Sequence, residues 1–120
     1  MEYLLLETVI FLSKVCDALC AAGIRPVICS TVYLDDDLFP GSDAEYQKYN
    51  AFMRAYAVEH ELIFIDLYST FRKLVQAHGW RDYYNYDHFH PNGSGYAIMA
   101  EKIAKSIRQE QNSYEEKPRK

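Results

Sequence analysis

Only two short segments of this 120-residue chain have the composition of a buried β-strand, and helical patterns surround both. Residues 26–32 and residues 62–65 are apolar runs with β-branched side chains, of the kind that parallel sheets bury. The predicted order is helix, strand, helix, strand, helix, helix, which indicates an α/β fold with parallel strands joined by right-handed crossovers. Because two strands leave both edges of a sheet open, we expect either further strands from another segment or another chain, or a fragment of marginal stability.

Apolar residues that recur at three- and four-residue steps predict the helices. The predicted helical segments are residues 3–22, 42–60, 66–77 and 92–109. The positions predicted to face inward are Leu5, Val9, Leu12, Cys16 and Leu19 in the first helix, Tyr49, Phe52, Met53 and Tyr56 in the second, and Tyr96, Met99, Ile103 and Ile107 in the last. This periodicity predicts one helix before the first strand, one between the strands and two after the second.

Capping residues and charge patterns set the predicted limits of these elements. Ser42 or Asp43 is expected to cap the second helix, and Gly79 to end the third. Residues 112–120 carry mixed charges without an apolar period, which predicts a disordered tail. We therefore predict a single domain over residues 1–111.

Net charge and the N-terminal sequence exclude several classes of partner. Lys and Arg number 13 against 17 Asp and Glu, and the sequence has no basic block, so nucleic acid and anionic membranes are poor candidates. The apolar N-terminal segment contains Glu2 and Glu7 and has no basic region, which is unlike a signal peptide, and it is too short to span a bilayer. These features predict a soluble protein and favour the cytoplasm.

Three cysteines are an odd number and do not indicate a disulfide framework. Cys16 and Cys20 are four residues apart and therefore share one helix face, where we expect both to be small buried hydrophobic residues.

The segment from Asp87 to Pro91 contains the residue types of acid–base chemistry. A histidine that serves as general base needs a carboxylate on one ring nitrogen, which fixes its tautomer and stabilises the imidazolium. Asp87 and His90 are three residues apart in a loop that leads into the last helix. A turn can bring the carboxylate to Nδ1 and leave Nε2 free, with Pro91 at the first helical position. The same spacing also arises by chance in solvated loops, so the pattern alone leaves both interpretations open.

The wider pattern around this pair resembles a known enzyme family. The block from Asp87 to Tyr96, Asp-His-Phe-His-Pro-Asn-Gly-Ser-Gly-Tyr, is similar to the last sequence block of the SGNH hydrolases, also called GDSL esterases and lipases. Residues 23–31 resemble the helix end and strand before the family's variable loop, and residues 49–67 resemble its next helix and strand. The resemblance covers residues 3–108 and implies a three-layer, flavodoxin-like α/β fold, of which this chain would be the C-terminal portion.

The resemblance also implies a role for each matching residue. His90 would be the base and Asp87 its orienting acid in the Ser-His-Asp triad of an ester hydrolase, with a small-molecule ester as partner and no cofactor. His88 falls at a variable position and is expected at the surface or on a pocket rim. Asp66 is expected to cap a helix, and Asn50 to lie on a helix surface.

The family's Gly-Asp-Ser nucleophile block and its oxyanion Gly and Asn have no counterpart in these 120 residues. No serine follows Gly-Asp or lies in a Gly-x-Ser-x-Gly elbow. The serines are Ser13, Ser30, Ser42, Ser69, Ser94, Ser106 and Ser113. We expect Ser94 in the first turn of the last helix, and we expect a chain that supplies the Asp–His pair but is inactive alone, since even one missing oxyanion donor costs about 100-fold or more.

Two other functions remain open at the level of the sequence. The chain could be a non-catalytic remnant or interaction module that associates with itself through its open sheet edge. A metal site formed by Asp82, Asp87, His88 and His90 is less favoured, because neither a defined fourth ligand nor a rigid frame is evident.

Overall fold

The computed structural model describes residues 2–116, and it describes the side chains of residues 6–111. Its elements are α1 (Glu2–Ala21), β1 (Val27–Cys29), α2 (Ser42–Glu59), β2 (Ile63–Ile65), α3 (Leu67–His78) and α4 (Gly93–Glu116). The order of helices and strands is the predicted one, and the α/β fold class is confirmed. No helix within the described residues has the length and apolar character needed to cross a membrane.

The two strands form a parallel pair in which Ile28 lies opposite Phe64. Both strands are shorter than predicted. The Ser30 backbone N–H still donates to the Ile65 carbonyl oxygen at 2.9 Å. The Ser30 hydroxyl also accepts a hydrogen bond from the Tyr68 N–H at 2.8 Å. This bond ties the residue that follows β1 to the first turn of α3.

Helices cover both faces of this narrow sheet and produce three layers. On one face, Ile28 packs in a cluster with residues of α1 and α2. On the other face, Ile65 packs with residues of α3 and α4 and with the loop that joins them. The buried members are Cys16, Ile28, Met53, Tyr56 and Ala57 in the first cluster, and Ile65, Leu67, Phe71, Val75 and Tyr84 in the second. Because successive strand residues point to opposite faces, one short strand pair anchors both clusters.

Three positions predicted to face inward are exposed instead. Phe52 is 49% exposed and Tyr96 54% exposed. Cys20 faces a shallow groove beside Ile24 near the end of α1. A sheet of two strands offers each helix a narrow surface, so residues at the margins of an apolar stripe stay outside the contact. Leu5, also predicted to face inward, lies outside the described side chains.

The helix ends agree with the predictions in part. Asp66 caps α3, because its Oδ1 accepts a hydrogen bond from the Ser69 N–H at 3.0 Å, as expected. Neither Ser42 nor Asp43 caps α2. Gly41 precedes that helix in a left-handed conformation with φ 86°, so Ser42 already belongs to the first turn.

The last helix is longer than its apolar pattern indicates. It begins at Gly93, includes Ser94 in its first turn as predicted, and continues through Glu116. It therefore includes residues 112–116 of the segment predicted to be a disordered tail. Residues 117–120, the rest of that predicted tail, lie outside the described residues.

Candidate active site

The loop between α3 and α4 closes on itself and fixes the ends of the segment that carries Asp87 and His90. Tyr84 and Pro91 form an antiparallel bridge. The Asn85 N–H donates to the His90 carbonyl oxygen at 2.8 Å. Tyr84 is 3% exposed, and its hydroxyl donates to the Tyr33 carbonyl oxygen, which ties this loop to the segment that follows β1. The two ends of the loop are therefore joined to each other, and one of them is also tied to the segment after β1.

Asp87 and His90 are brought together within this loop. The Asp87 Oδ2 and His90 Nδ1 atoms are 2.7 Å apart. The other carboxylate oxygen, Oδ1, accepts hydrogen bonds from the backbone N–H groups of Phe89 at 2.9 Å and His90 at 3.0 Å. With Nδ1–H donating to a carboxylate, Nε2 of a neutral imidazole carries the free lone pair and can accept a proton. The His90 side chain is 62% exposed, so a reactant can approach the imidazole.

These contacts keep the Asp87 carboxyl group ionised. The hydrogen bond from the His90 side chain, followed by those from the backbone amides of Phe89 and His90, lowers the pKa of Asp87 to about 2. Because this pKa lies below the ordinary value of 3.8, the carboxylate stabilises the folded loop at higher pH. That contribution is lost as the pH falls from about 4 toward 2.

Replacing His90 by alanine should raise the pKa of Asp87 from about 2 toward 3.8. The increase should be incomplete, since the two backbone amides still donate to Oδ1. The carboxyl carbon of Asp87 reports this pKa in a ¹³C NMR titration. His78→Ala removes an exposed imidazole from the end of α3 and should leave the pKa unchanged. An unchanged Asp87 pKa in His90→Ala would show that the imidazole does not act on this carboxylate.

The start of α4 differs from the prediction and explains why residue 95 is a glycine. Pro91 is not the first helical residue. Asn92 caps the helix, its Oδ1 accepting from the Gly95 N–H at 2.9 Å. A side chain at residue 95 would overlap the Tyr83 carbonyl oxygen and lie 2.9 Å from the Pro91 Cβ. Glycine at this position therefore allows the helix to pack closely against the loop.

His88 is partly exposed, which agrees with the expected surface position, but it also makes specific contacts that the sequence did not indicate. Its side chain is 31% exposed, and its Nδ1 lies 2.9 Å from Oδ2 of Asp35. Its ring stacks on Trp80 with a centroid separation of 5.1 Å. Sequence reasoning missed Asp35 because it belongs to a run of three aspartates typical of a loop.

Polar residues at the carboxyl ends of the strands are engaged in structural contacts. The Ser30 side chain is buried and donates to the Thr31 carbonyl oxygen as well as accepting from Tyr68. Asn50 is not simply a helix surface residue. Its side chain accepts from the Thr31 N–H at 3.0 Å and donates to the Thr31 hydroxyl at 3.0 Å. These contacts fasten the chain after β1 to α2.

Two further features of the described residues lie apart from the Asp87–His90 pair. Among the described side chains, those of residues 6–111, no group of three or more His, Cys, Asp or Glu is arranged to hold a metal ion. His88 and His90 each bond to a different carboxylate rather than to a shared centre. A groove of about 600 Å³ opens between α3 and α4, and Lys73, Lys102 and Lys105 line it together with Asp66, but neither Asp87 nor His90 does.

Comparison with protein-family models gives a match over most of the chain. Residues 6–98 match the model of a family described as the GDSL-like Lipase/Acylhydrolase family. This range contains both members of the Asp87–His90 pair and covers more than half of the chain. No curated protein matches the chain significantly.

Proposed function

This chain belongs to the GDSL-like lipase/acylhydrolase family, and from that membership we propose that it supplies the acid–base pair of an ester hydrolase. Asp87 is the orienting carboxylate and His90 is the general base. The observation that carries the proposal is the 2.7 Å contact between Asp87 Oδ2 and His90 Nδ1, made by a histidine whose side chain is 62% exposed. Family membership supports an ester as the substrate, and the reaction requires no cofactor.

The proposed reaction has two stages, and His90 moves a proton in each. Nε2 accepts the proton of a serine hydroxyl while the serine oxygen attacks the ester carbonyl, and the imidazolium then protonates the departing alcohol oxygen. Water attacks the acyl-serine in the second stage, again losing its proton to Nε2, and the serine regains a proton as the acid departs. Asp87 stays ionised throughout and stabilises the imidazolium.

In this proposal, the nucleophile and the oxyanion donors come from residues outside these 120. The buried hydroxyl of Ser30 is already engaged in two hydrogen bonds, which makes it a poor nucleophile. Ser94 lies in the first turn of α4 and not in a nucleophile elbow. The chain therefore provides the base of a serine hydrolase but not the atom that attacks the ester.

The proposal is tested by assaying two proteins for hydrolysis of p-nitrophenyl acetate. One is the chain of 120 residues, and the other is the product of the same reading frame extended upstream. We expect no hydrolysis above buffer for the chain alone, and turnover for the extended product, whose added sequence should contain Gly-Asp-Ser. Intact upstream sequence of an unrelated type would refute the proposal, and so would turnover by the chain alone that survives removal of His90.

One observation favours a second candidate, an interaction module that self-associates. Within residues 2–116, β1 pairs with β2 alone, and its Val27 is 37% exposed. On α1, Ile10 and Phe11 are 46% and 66% exposed. An open strand edge and exposed apolar side chains are both suited to pairing with another chain. Size-exclusion chromatography discriminates: a dimer or larger species is expected for such a module, whereas a monomer with a cooperative melt would exclude it.

A further inference from the structure

We propose that His88 and Asp35 are positioning residues, which hold the turn carrying Asp87 and His90 against the segment that follows β1. This inference rests on the proposed function for its catalytic meaning. Its structural content is a second carboxylate–imidazole pair, in which the imidazole of His88 lies between Asp87 and His90 in the sequence and the carboxylate of Asp35 comes from another segment. Neither residue belongs to the Asp-x-x-His pair that the family resemblance implies.

The two carboxylate–imidazole pairs are built alike. In each, one carboxylate oxygen accepts backbone N–H and the other accepts the Nδ1–H of an imidazole. Asp35 uses Oδ1 for the Asp37 N–H at 3.0 Å and Oδ2 for His88 at 2.9 Å. The backbone bond restricts the orientation of the Asp35 carboxylate independently of the imidazole. Asp35 is thus a preset acceptor.

The His88–Asp35 pair is the better shielded of the two. The side chains of His88 and Asp35 are 31% and 16% exposed, against 62% and 37% for His90 and Asp87. A shielded hydrogen bond to a carboxylate is weakened less by water and salt than an exposed one. The inner pair can therefore anchor the turn, while the outer pair remains open to a reactant.

Aromatic contacts extend the same connection. Trp80 stacks on Tyr33 at 5.2 Å with its plane tilted by 7°, and on His88 at 5.1 Å with a tilt of 9°. Phe89 makes a second ring contact across the two segments, with Phe39 at 5.4 Å. The imidazole of His88 is therefore held by a stacked ring and by a hydrogen bond from its Nδ1.

The backbone of His88 shows why this anchor matters for the turn. His88 has φ 53°, a left-handed conformation that L-residues other than glycine adopt at a cost. Its N–H donates to the Asn85 carbonyl oxygen at 3.0 Å, inside the same turn. When the side chain is released, residue 88 can leave this conformation, because a histidine then relaxes toward extended backbone and a glycine is free to adopt many conformations. That movement would carry the Phe89 and His90 amides away from Asp87.

The test is amide hydrogen exchange at Phe89 and His90, whose N–H groups donate to Asp87. It uses the chain of 120 residues without any ester, so its outcome is separate from that of the hydrolase proposal. His88→Gly and Asp35→Ala should each accelerate exchange at these two amides by about tenfold or more. His88→Asn should retain protection, because the asparagine amide can donate from nearly the same place as Nδ1 and tolerates a left-handed backbone. Asp37→Ala, on the same segment as Asp35, should leave exchange unchanged.

The fluorescence of Trp80 provides a second measurement, because Trp80 is the only tryptophan in the sequence. Asp35→Ala should change its fluorescence emission in the same direction as His88→Gly, since Asp35 holds the imidazole on the indole. Three results would overturn the proposal. The first is unchanged exchange in both His88→Gly and Asp35→Ala, and the second is equal exchange in His88→Asn and His88→Gly. The third is loss of the whole fold in both His88→Gly and Asp35→Ala, which would indicate a general structural role.

Discussion

Hydrolysis of p-nitrophenyl acetate should fall by about 10³-fold or more in kcat/KM when His90 is replaced by alanine in the protein that also carries the nucleophilic serine. The reason is that Nε2 of His90 is the only group in the proposed mechanism that takes the serine proton and returns it to the leaving alcohol. Asp87→Asn should reduce the rate by about 10²- to 10⁴-fold. The asparagine amide can turn its NH₂ group toward Nδ1, which favours the wrong tautomer of His90, and a neutral amide does not stabilise the imidazolium.

The double variant separates this mechanism from two independent defects. Residues that act as one unit have non-additive effects, so Asp87→Asn combined with His90→Ala should be no slower than His90→Ala alone. His78→Ala provides the matched control, because it removes an imidazole from the exposed end of α3 and should retain full activity. If the two substitutions multiply their effects, or if His78→Ala loses as much activity as His90→Ala, the assignment of His90 as base is wrong.

Gly95→Ala should destabilise the fold by about 1–3 kcal/mol, because the added methyl group overlaps a backbone carbonyl that cannot move alone. That carbonyl, of Tyr83, accepts the Asn92 N–H at 2.9 Å and so closes the loop that carries Asp87 and His90. Chemical denaturation, with the free energy of unfolding as the measured quantity, checks this expectation. The substitution should also weaken the Asp87–His90 contact.

Gly93→Ala is the control for this substitution. It lies two residues earlier in the first turn of α4, and a side chain there would meet no atom within 4 Å. Alanine favours the helical conformation by up to about 1 kcal/mol over glycine, so Gly93→Ala should be neutral or stabilising. Equal destabilisation by both substitutions would mean that a loss of glycine flexibility, and not the close approach at Gly95, is responsible.

The difference between what could and could not be predicted follows from the sequence separation of the partners. Asp87 and His90 are three residues apart, so a single turn joins them and the contact is visible in the sequence. Asp35 and His88 are 53 residues apart. Their contact depends on how the loop after α3 packs against the segment after β1, which no local pattern reports.

Burial shows the same limit. The prediction that Met53 and Tyr56 face inward is confirmed, because both lie at the centre of the apolar stripe on α2. The same prediction for Phe52 is wrong, because the width of the sheet, and not the width of the apolar stripe, decides which side chains are covered. The role of Gly95 also depends on a neighbour outside the helix, the Tyr83 carbonyl, and helix propensities do not report such a contact. The cap at Asp66 was predictable because its partner, Ser69, is three residues away.

The most direct measurement of the central claim is the site and rate of labelling by a fluorophosphonate in the protein extended upstream of residue 1. Such a reagent reacts with a serine whose hydroxyl is activated by a base, and mass spectrometry locates the modified residue. We predict that the label attaches to a serine outside these 120 residues, and that His90→Ala slows labelling by orders of magnitude while His78→Ala does not. Labelling of Ser30 or Ser94, or an unchanged rate in His90→Ala, would contradict the account.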